Sequence, residues 1–155
     1  SPILRIHLDT FSGEPTESEL GLLDWRGGGA VWFLPACPVT GEDAAIQQDL
    51  SRSVLTAHGF DYMVEFVCGP RAARALHIIM YNREDEDERQ RMSDCIDALV
   101  AAYDAAGYPI GRTPTDWQEK GAARLPELSR VTSAIKAALD PNGVIAPGKY
   151  GIIAA

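Results

Sequence analysis

The chain has 155 residues, 46% of them hydrophobic and 23% charged, with a net charge of −8. Those proportions suit a folded domain with its own core and exclude a disordered or fibrous chain. A pI of about 4.8 makes a phosphate backbone an unfavourable partner, so nucleic acid is not expected, and no apolar run approaches the ~20 residues that cross a bilayer.

The chain opens on Ser1-Pro2 rather than Met, as a piece of a longer protein or a processed form would, and carries no signal-peptide pattern. Residues 3–8 alternate Leu4, Ile6 and Leu8 with Arg5 and His7, which predicts a short strand. Thr16 with Glu19 can cap a brief helix over 16–23. Gly27-Gly28-Gly29 reads as a flexible break, and Ala30–Leu34 as a strand. Thr40 with Asp43 predicts the start of a helix running to about His58, with Ile46, Leu50 and Val54 as its core stripe and Gly59 as its stop. His58, at that helix's C-terminus, suits the dipole. Tyr62–Cys68 and Ala75–Tyr81 read as strands joined by a Gly69-Pro70 turn.

Asn82 is the expected cap of a second long helix, whose first turns hold Glu84 to Glu88 and whose buried stripe is Met92, Ile96, Leu99, Val100 and Tyr103. Gly107 stops it, and Pro109–Thr113 can form a fourth strand. The order over 30–113 is β-α-β-β-α-β. That predicts an α+β, ferredoxin-like split β-α-β antiparallel sheet with both helices on one face. Pro114–Ala123 and Pro126–Leu139 read as C-terminal helices, the second with an apolar face of Leu128, Val131, Ile135, Ala138 and Leu139. The turn-rich Asp140–Ile152 segment holds Val144 and Ile145, and so should dock on something. Cys37, Cys68 and Cys95 lack CxxC spacing, which predicts buried free thiols in a reducing, cytoplasmic setting, with no disulfide framework and no metal site.

Two stretches are less generic: Gly27-Gly28-Gly29-Ala30-Val31-Trp32-Phe33-Leu34-Pro35, and Leu139-Asp140-Pro141-Asn142-Gly143-Val144-Ile145-Ala146-Pro147-Gly148-Lys149. Together with Gly59-Phe60-Asp61-Tyr62, Glu65-Phe66, Gly107-Tyr108-Pro109 and Arg112-Thr113, they resemble the vanillyl-alcohol oxidase and p-cresol methylhydroxylase family of FAD-linked oxidases, over roughly residues 14–153. The resemblance implies the C-terminal part of such an enzyme: residues 1–29 linking from a preceding cap region, 30–113 a cap subdomain, and 114–155 the C-terminal helices and FAD-contact loop. It implies a partner, an N-terminal FAD-binding domain that this chain lacks. The triple glycine here precedes a strand, not a helix, and so fails the dinucleotide-binding pattern.

In that family a hydride passes from a 4-alkylphenol or aromatic alcohol to flavin N5, and a homo-oligomer is allowed. By the resemblance Arg112 would hold the phenolate, Glu65 would bond substrate or act as a base, Trp32 would line the pocket, and Gly148 and Lys149 would meet the flavin. On their own, Arg112 also reads as a surface residue at a strand end, Trp32 as core, Lys149 as an exposed turn residue, and Glu65 as facing solvent. Five positions depart from the family pattern. Gly111 stands where a tyrosine precedes the arginine, Arg74-Ala75 where a histidine pair is usual, Ala30 where one covalent-attachment histidine would fall, and Leu22 near where an attachment tyrosine would fall, with no tyrosine close by. FAD held non-covalently is therefore expected. Oxidation of another alcohol or a 2-hydroxy acid remains open, as does a non-catalytic ferredoxin-like binding module.

Overall fold

The computed structural model describes residue 13, residues 25–112 and residues 117–152. The strand expected over 3–8 and the helix over 16–23 lie outside the described residues.

Strand β1 (Gly28–Cys37) is followed by α1 (Gly41–Ala57), β2 (Val64–Cys68), β3 (Ala73–Asn82), α2 (Glu86–Ala105) and β4 (Ile110–Arg112). The four strands lie in the order β2-β3-β1-β4, every pairing antiparallel. This is the ferredoxin-like arrangement that the element order predicts. Phe33 and Ile79 from the sheet, Leu55 from α1, and Ile96, Leu99 and Tyr103 from α2 form one buried cluster, so both helices cover the same face.

Both helices end alike. The Phe60 N–H bonds back to Leu55 O (2.9 Å) and the Tyr108 N–H to Tyr103 O (2.9 Å), across Gly59 (φ 73°) and Gly107 (φ 79°). Glycine takes that left-handed position without the Cβ clash other residues meet.

The structure departs from the sequence pattern in four places. Gly28 and Gly29 are strand residues, not a flexible break. A Cβ on Gly29 would lie 2.5 Å from Tyr81 O, so this glycine permits close strand packing. Strand β1 also runs on through Pro35, whose absent N–H coincides with a shift in the β1–β4 register. Next, the buried residues of α1 are Gln47, Ser51 and Leu55, one position on from the expected stripe; Ile46 is exposed, while Leu50 and Val54 are only partly buried. Gln47 faces inward with its amide nitrogen donating to Ala36 O (3.1 Å), though its Oε1 has no partner among the described residues, and Ser51 is satisfied where its Oγ donates to the Gln47 backbone carbonyl (2.8 Å). Finally, Asp85, not Asn82, caps α2, accepting the Glu88 N–H at 3.1 Å. Asn82 is still paired within β3, opposite Gly28, and its N–H is taken by Glu88 Oε2 (2.9 Å).

Two further helices, α3 (Gln118–Ala123) and α4 (Pro126–Leu139), close the fold with a short 3-10 turn at Lys149–Gly151. None of the described helices is long and apolar enough to cross a membrane.

Candidate functional site

Strand pairing fixes where the singled-out residues stand. Arg112 lies opposite Leu34 on β1, Trp32 opposite Ile78, and Glu65 opposite Leu76. Trp32 is two residues from Leu34, which makes it a diagonal neighbour of the Arg112 position across adjacent strands, within reach of a long or aromatic side chain. Trp32 is 42% exposed, on the alternation opposite to buried Phe33 and Pro35. Glu65, also exposed, stands on β2. Three strand spacings separate it from β4, about 14 Å. The sheet thus sets the Trp32 and Arg112 positions on adjacent strands and holds Glu65 apart. A ligand spanning that distance could meet both ends; a single atom could not.

Gly148 and Lys149 belong to the terminal loop. Gly148 turns the chain at φ 75°, and the exposed Lys149 has its Nζ 6.0 Å from the Tyr150 ring centroid. The loop is anchored at its start by Asp140. The Asp140 carboxylate accepts the N–H groups of Val144 and Ile145 (2.9 Å each) and the Lys136 ammonium (2.7 Å), while Lys136 also donates to Ile145 O (2.6 Å). The Lys136 ammonium, aided by the two backbone donors, lowers the Asp140 pKa to about 2.

A concave surface of about 280 Å³ joins this loop to β4: Ile110 lines it together with Gln118, Leu125, Leu128, Tyr150 and Ile152. Ile110 of the arginine-bearing strand and Tyr150 and Ile152 of the terminal loop thus line one cleft, while Trp32, Glu65, Gly148 and Lys149 are not among its lining residues. Ile110 also lines a second hollow of about 240 Å³, beside Tyr108, Trp117 and the Arg124–Asp104 ion pair (3.1 Å). The docking expected of Val144 and Ile145 does not occur within the described residues: they are 75% and 68% exposed. The apolar face of α4 is likewise open, with Leu139 79% exposed.

The fold recurs in solved flavoenzymes. The chain superposes on p-cresol methylhydroxylase with substrate bound at a TM-score of 0.83, with 34% identity, over 90% of this chain and 27% of that one. It superposes on the 4-ethylphenol oxidase of Gulosibacter chungangensis, in its isoeugenol complex, at a TM-score of 0.89, with 28% identity, over 99% of this chain and 30% of that one. In sequence it is 35% identical over 144 residues to the flavoprotein subunit of 4-cresol dehydrogenase (hydroxylating) from Pseudomonas putida. The chain is homologous to the p-cresol methylhydroxylase flavoproteins. That homology takes in 92% of this chain but only 28% of the Pseudomonas subunit. A 1'-carboxy-chondrochloren decarboxylase from Chondromyces crocatus is 31% identical over 123 residues, 79% of this chain and 23% of the relative. No family model matches the chain. The methylhydroxylase resemblance read from the glycine-rich strand and the terminal loop is thus upheld, and with it the α+β fold.

Sequence reasoning missed Gln118 and Tyr150, which tie the loop to α3. No local pattern marks a contact between residues 32 positions apart. The Asp140 anchor did leave a signal, since Asp-Pro-Asn-Gly is a turn sequence whose first side chain commonly accepts backbone N–H groups.

Proposed function

We propose that this chain is the substrate-cap part and FAD-contact loop of a FAD-dependent oxidoreductase that oxidises 4-alkylphenols or aromatic alcohols. Residues 30–113 act as the cap subdomain, 1–29 lead in from a preceding cap region, and 114–155 return to a separate N-terminal FAD-binding domain. The observation that carries this reading is the shared cleft of β4 and the terminal loop, within a fold homologous along most of its length to flavoprotein phenol oxidisers.

The residues present fit the edge of a flavin and not its dinucleotide half. The loop offers an exposed lysine and a tight glycine turn, whereas the described glycine run leads into a strand. Non-covalent binding agrees with Ala30 at one attachment position and Leu22 near the other. When bound, the flavin supplies a hydride acceptor at N5. Arg112 holds the phenolate oxygen, since a guanidinium stays charged and offers forked donors. Trp32 packs on the aromatic ring. Glu65, at the far side of the sheet, accepts a hydrogen bond from substrate or serves as base toward water. Lys149 favours negative charge on the reduced ring. Three free cysteines suit a cytoplasmic setting, although only Cys37 and Cys95 are buried as expected and Cys68, on the edge strand β2, is exposed.

A second reading, oxidation of another alcohol or a 2-hydroxy acid, is favoured by Gly111 in place of a phenolate-binding tyrosine and by Arg74 in place of a histidine. The two separate in a chimera that joins the flavin-binding part of 4-cresol dehydrogenase to this chain. The chimera should bind flavin and reduce a dye with 4-cresol or 4-ethylphenol. Arg112→Ala should lower kcat/KM about 100- to 1000-fold, as losing an oxyanion donor does. A flavin-loaded chimera that oxidises 2-hydroxy acids but not phenols would decide for the second reading.

A further inference from the structure

Tyr150 is a tyrosine held in the left-handed region, at φ 58° and ψ 27°, and Ala146 four residues earlier stands at φ 40°. Such conformations persist only where the surroundings over-determine them. At the start of the loop the determinant is the Asp140–Lys136 cluster. At its end it is one hydrogen bond: the Tyr150 N–H donates to Gln118 Oε1 at 2.8 Å. Gln118 is buried, 8% exposed, and opens α3, which is itself fastened to α4 where Ser129 Oγ donates to Ala122 O (3.0 Å). Between the two anchors the Lys149 N–H bonds Ala146 O and the Ile152 N–H bonds Lys149 O, both at 3.2 Å. Among the described residues no ion pair engages Lys149, whose ammonium lies 6.0 Å from the Tyr150 ring centroid, so no carboxylate competes for it.

We propose that Gln118 is a positioning residue: through the backbone of Tyr150 it sets where Lys149 is presented to the flavin. This rests on the flavin-contact reading of the loop. A buried amide oxygen is a suitable anchor for such a task, because it accepts the N–H of a strained residue without adding a charge that would compete for the lysine.

Two measurements test it. In the 155-residue chain, hydrogen exchange at the Tyr150 amide should quicken about tenfold in Gln118→Leu and stay within about twofold in Gln118→Glu, which keeps an acceptor oxygen. In the chimera with the flavin-binding part of 4-cresol dehydrogenase, Lys149→Ala should slow flavin reduction by 4-cresol and lower the flavin midpoint potential. Gln118→Leu should move both in the same direction, with 4-cresol Kd changed less than about twofold, and the double variant should be no worse than Lys149→Ala alone. Additive effects in the double variant, or an unaltered Tyr150 amide in Gln118→Leu, overturn the positioning role and leave the flavin contact standing. A Lys149→Ala chimera with unchanged reduction rate and potential overturns the flavin contact itself, and the positioning role with it.

Discussion

Three aromatic rings close on His77 in the core: Phe33, Tyr103 and Tyr62, at centroid distances of 5.8, 6.2 and 6.5 Å. Its Nδ1 lies 3.2 Å from both Phe33 O and Ala75 O, so this nitrogen carries the proton, and its Nε2 has no partner. Burial lowers the His77 pKa from 6.5 to about 4. Between those values the unfolded chain binds the proton and the folded chain does not. Stability is therefore complete above pH 6.5 and falls as the pH drops toward 4, by about 3 kcal/mol at most. Denaturant titrations from pH 7 to 4 should show this loss in the wild type, and His77→Phe should remove that part of the slope. At Gly29 the limit is space. A new Cβ would meet Tyr81 backbone at 2.5 Å and its ring at 2.8 Å. Gly29→Ala should cost about 1–3 kcal/mol in urea unfolding, since a paired strand cannot step aside.

At the scale of elements, the terminal loop owes its shape to α4 and the residue just past it. Asp140 gathers two backbone donors and the Lys136 ammonium. Its depressed pKa means the carboxylate's contribution is present above about pH 3.8 and is lost as the pH falls through about 2. Asp140→Ala should release the loop at neutral pH. Limited trypsin digestion should then cut after Lys149 about tenfold faster, the rate following the open population, with the sheet and α1 left intact. Faster cutting throughout the chain would instead mean global unfolding. Helix α4 contributes the opposite kind of surface. Leu128, Val131, Ile135 and Leu139 are all exposed, and no residue of this helix is buried.

For the whole molecule, exposed Val144 and Ile145 add to the apolar side chains left open on that helix. Exposed apolar side chains in such number are what a packing partner would cover. The chain accounts for 28% of the length of the Pseudomonas flavoprotein subunit and 30% of the 4-ethylphenol oxidase. The proposed occupant is the FAD-binding domain. Without it the purified chain should be colourless and should self-associate in sedimentation velocity runs at micromolar concentration. Ile135→Glu should shift the distribution toward monomer while leaving Tm nearly unchanged, because that side chain contributes little to the core. A wild-type chain that sediments as monomer throughout would remove the case for an interface here.

By itself the sequence determined the order of elements over 30–113, the Thr40 cap, the Gly59 and Gly107 stops, most of the buried stripe of α2 and the family resemblance. Each of these is written within a few residues: a cap bonds three positions on, a stripe repeats every turn, a signature is contiguous. Only the tertiary structure decided that α1 buries Gln47 and Ser51, that Asp85 takes the cap, and that Gly29 serves packing. It also decided that His77 sits among rings, that Trp32 neighbours the Arg112 position while Glu65 lies three strands off, and that Gln118 holds Tyr150. Those outcomes depend on partners far apart in sequence, such as Phe33 with His77, 44 residues away, or Gln118 with Tyr150, 32 away. Propensity and periodicity act along the chain; what a side chain finally meets is set by where the sheet order and the crossing helices carry it.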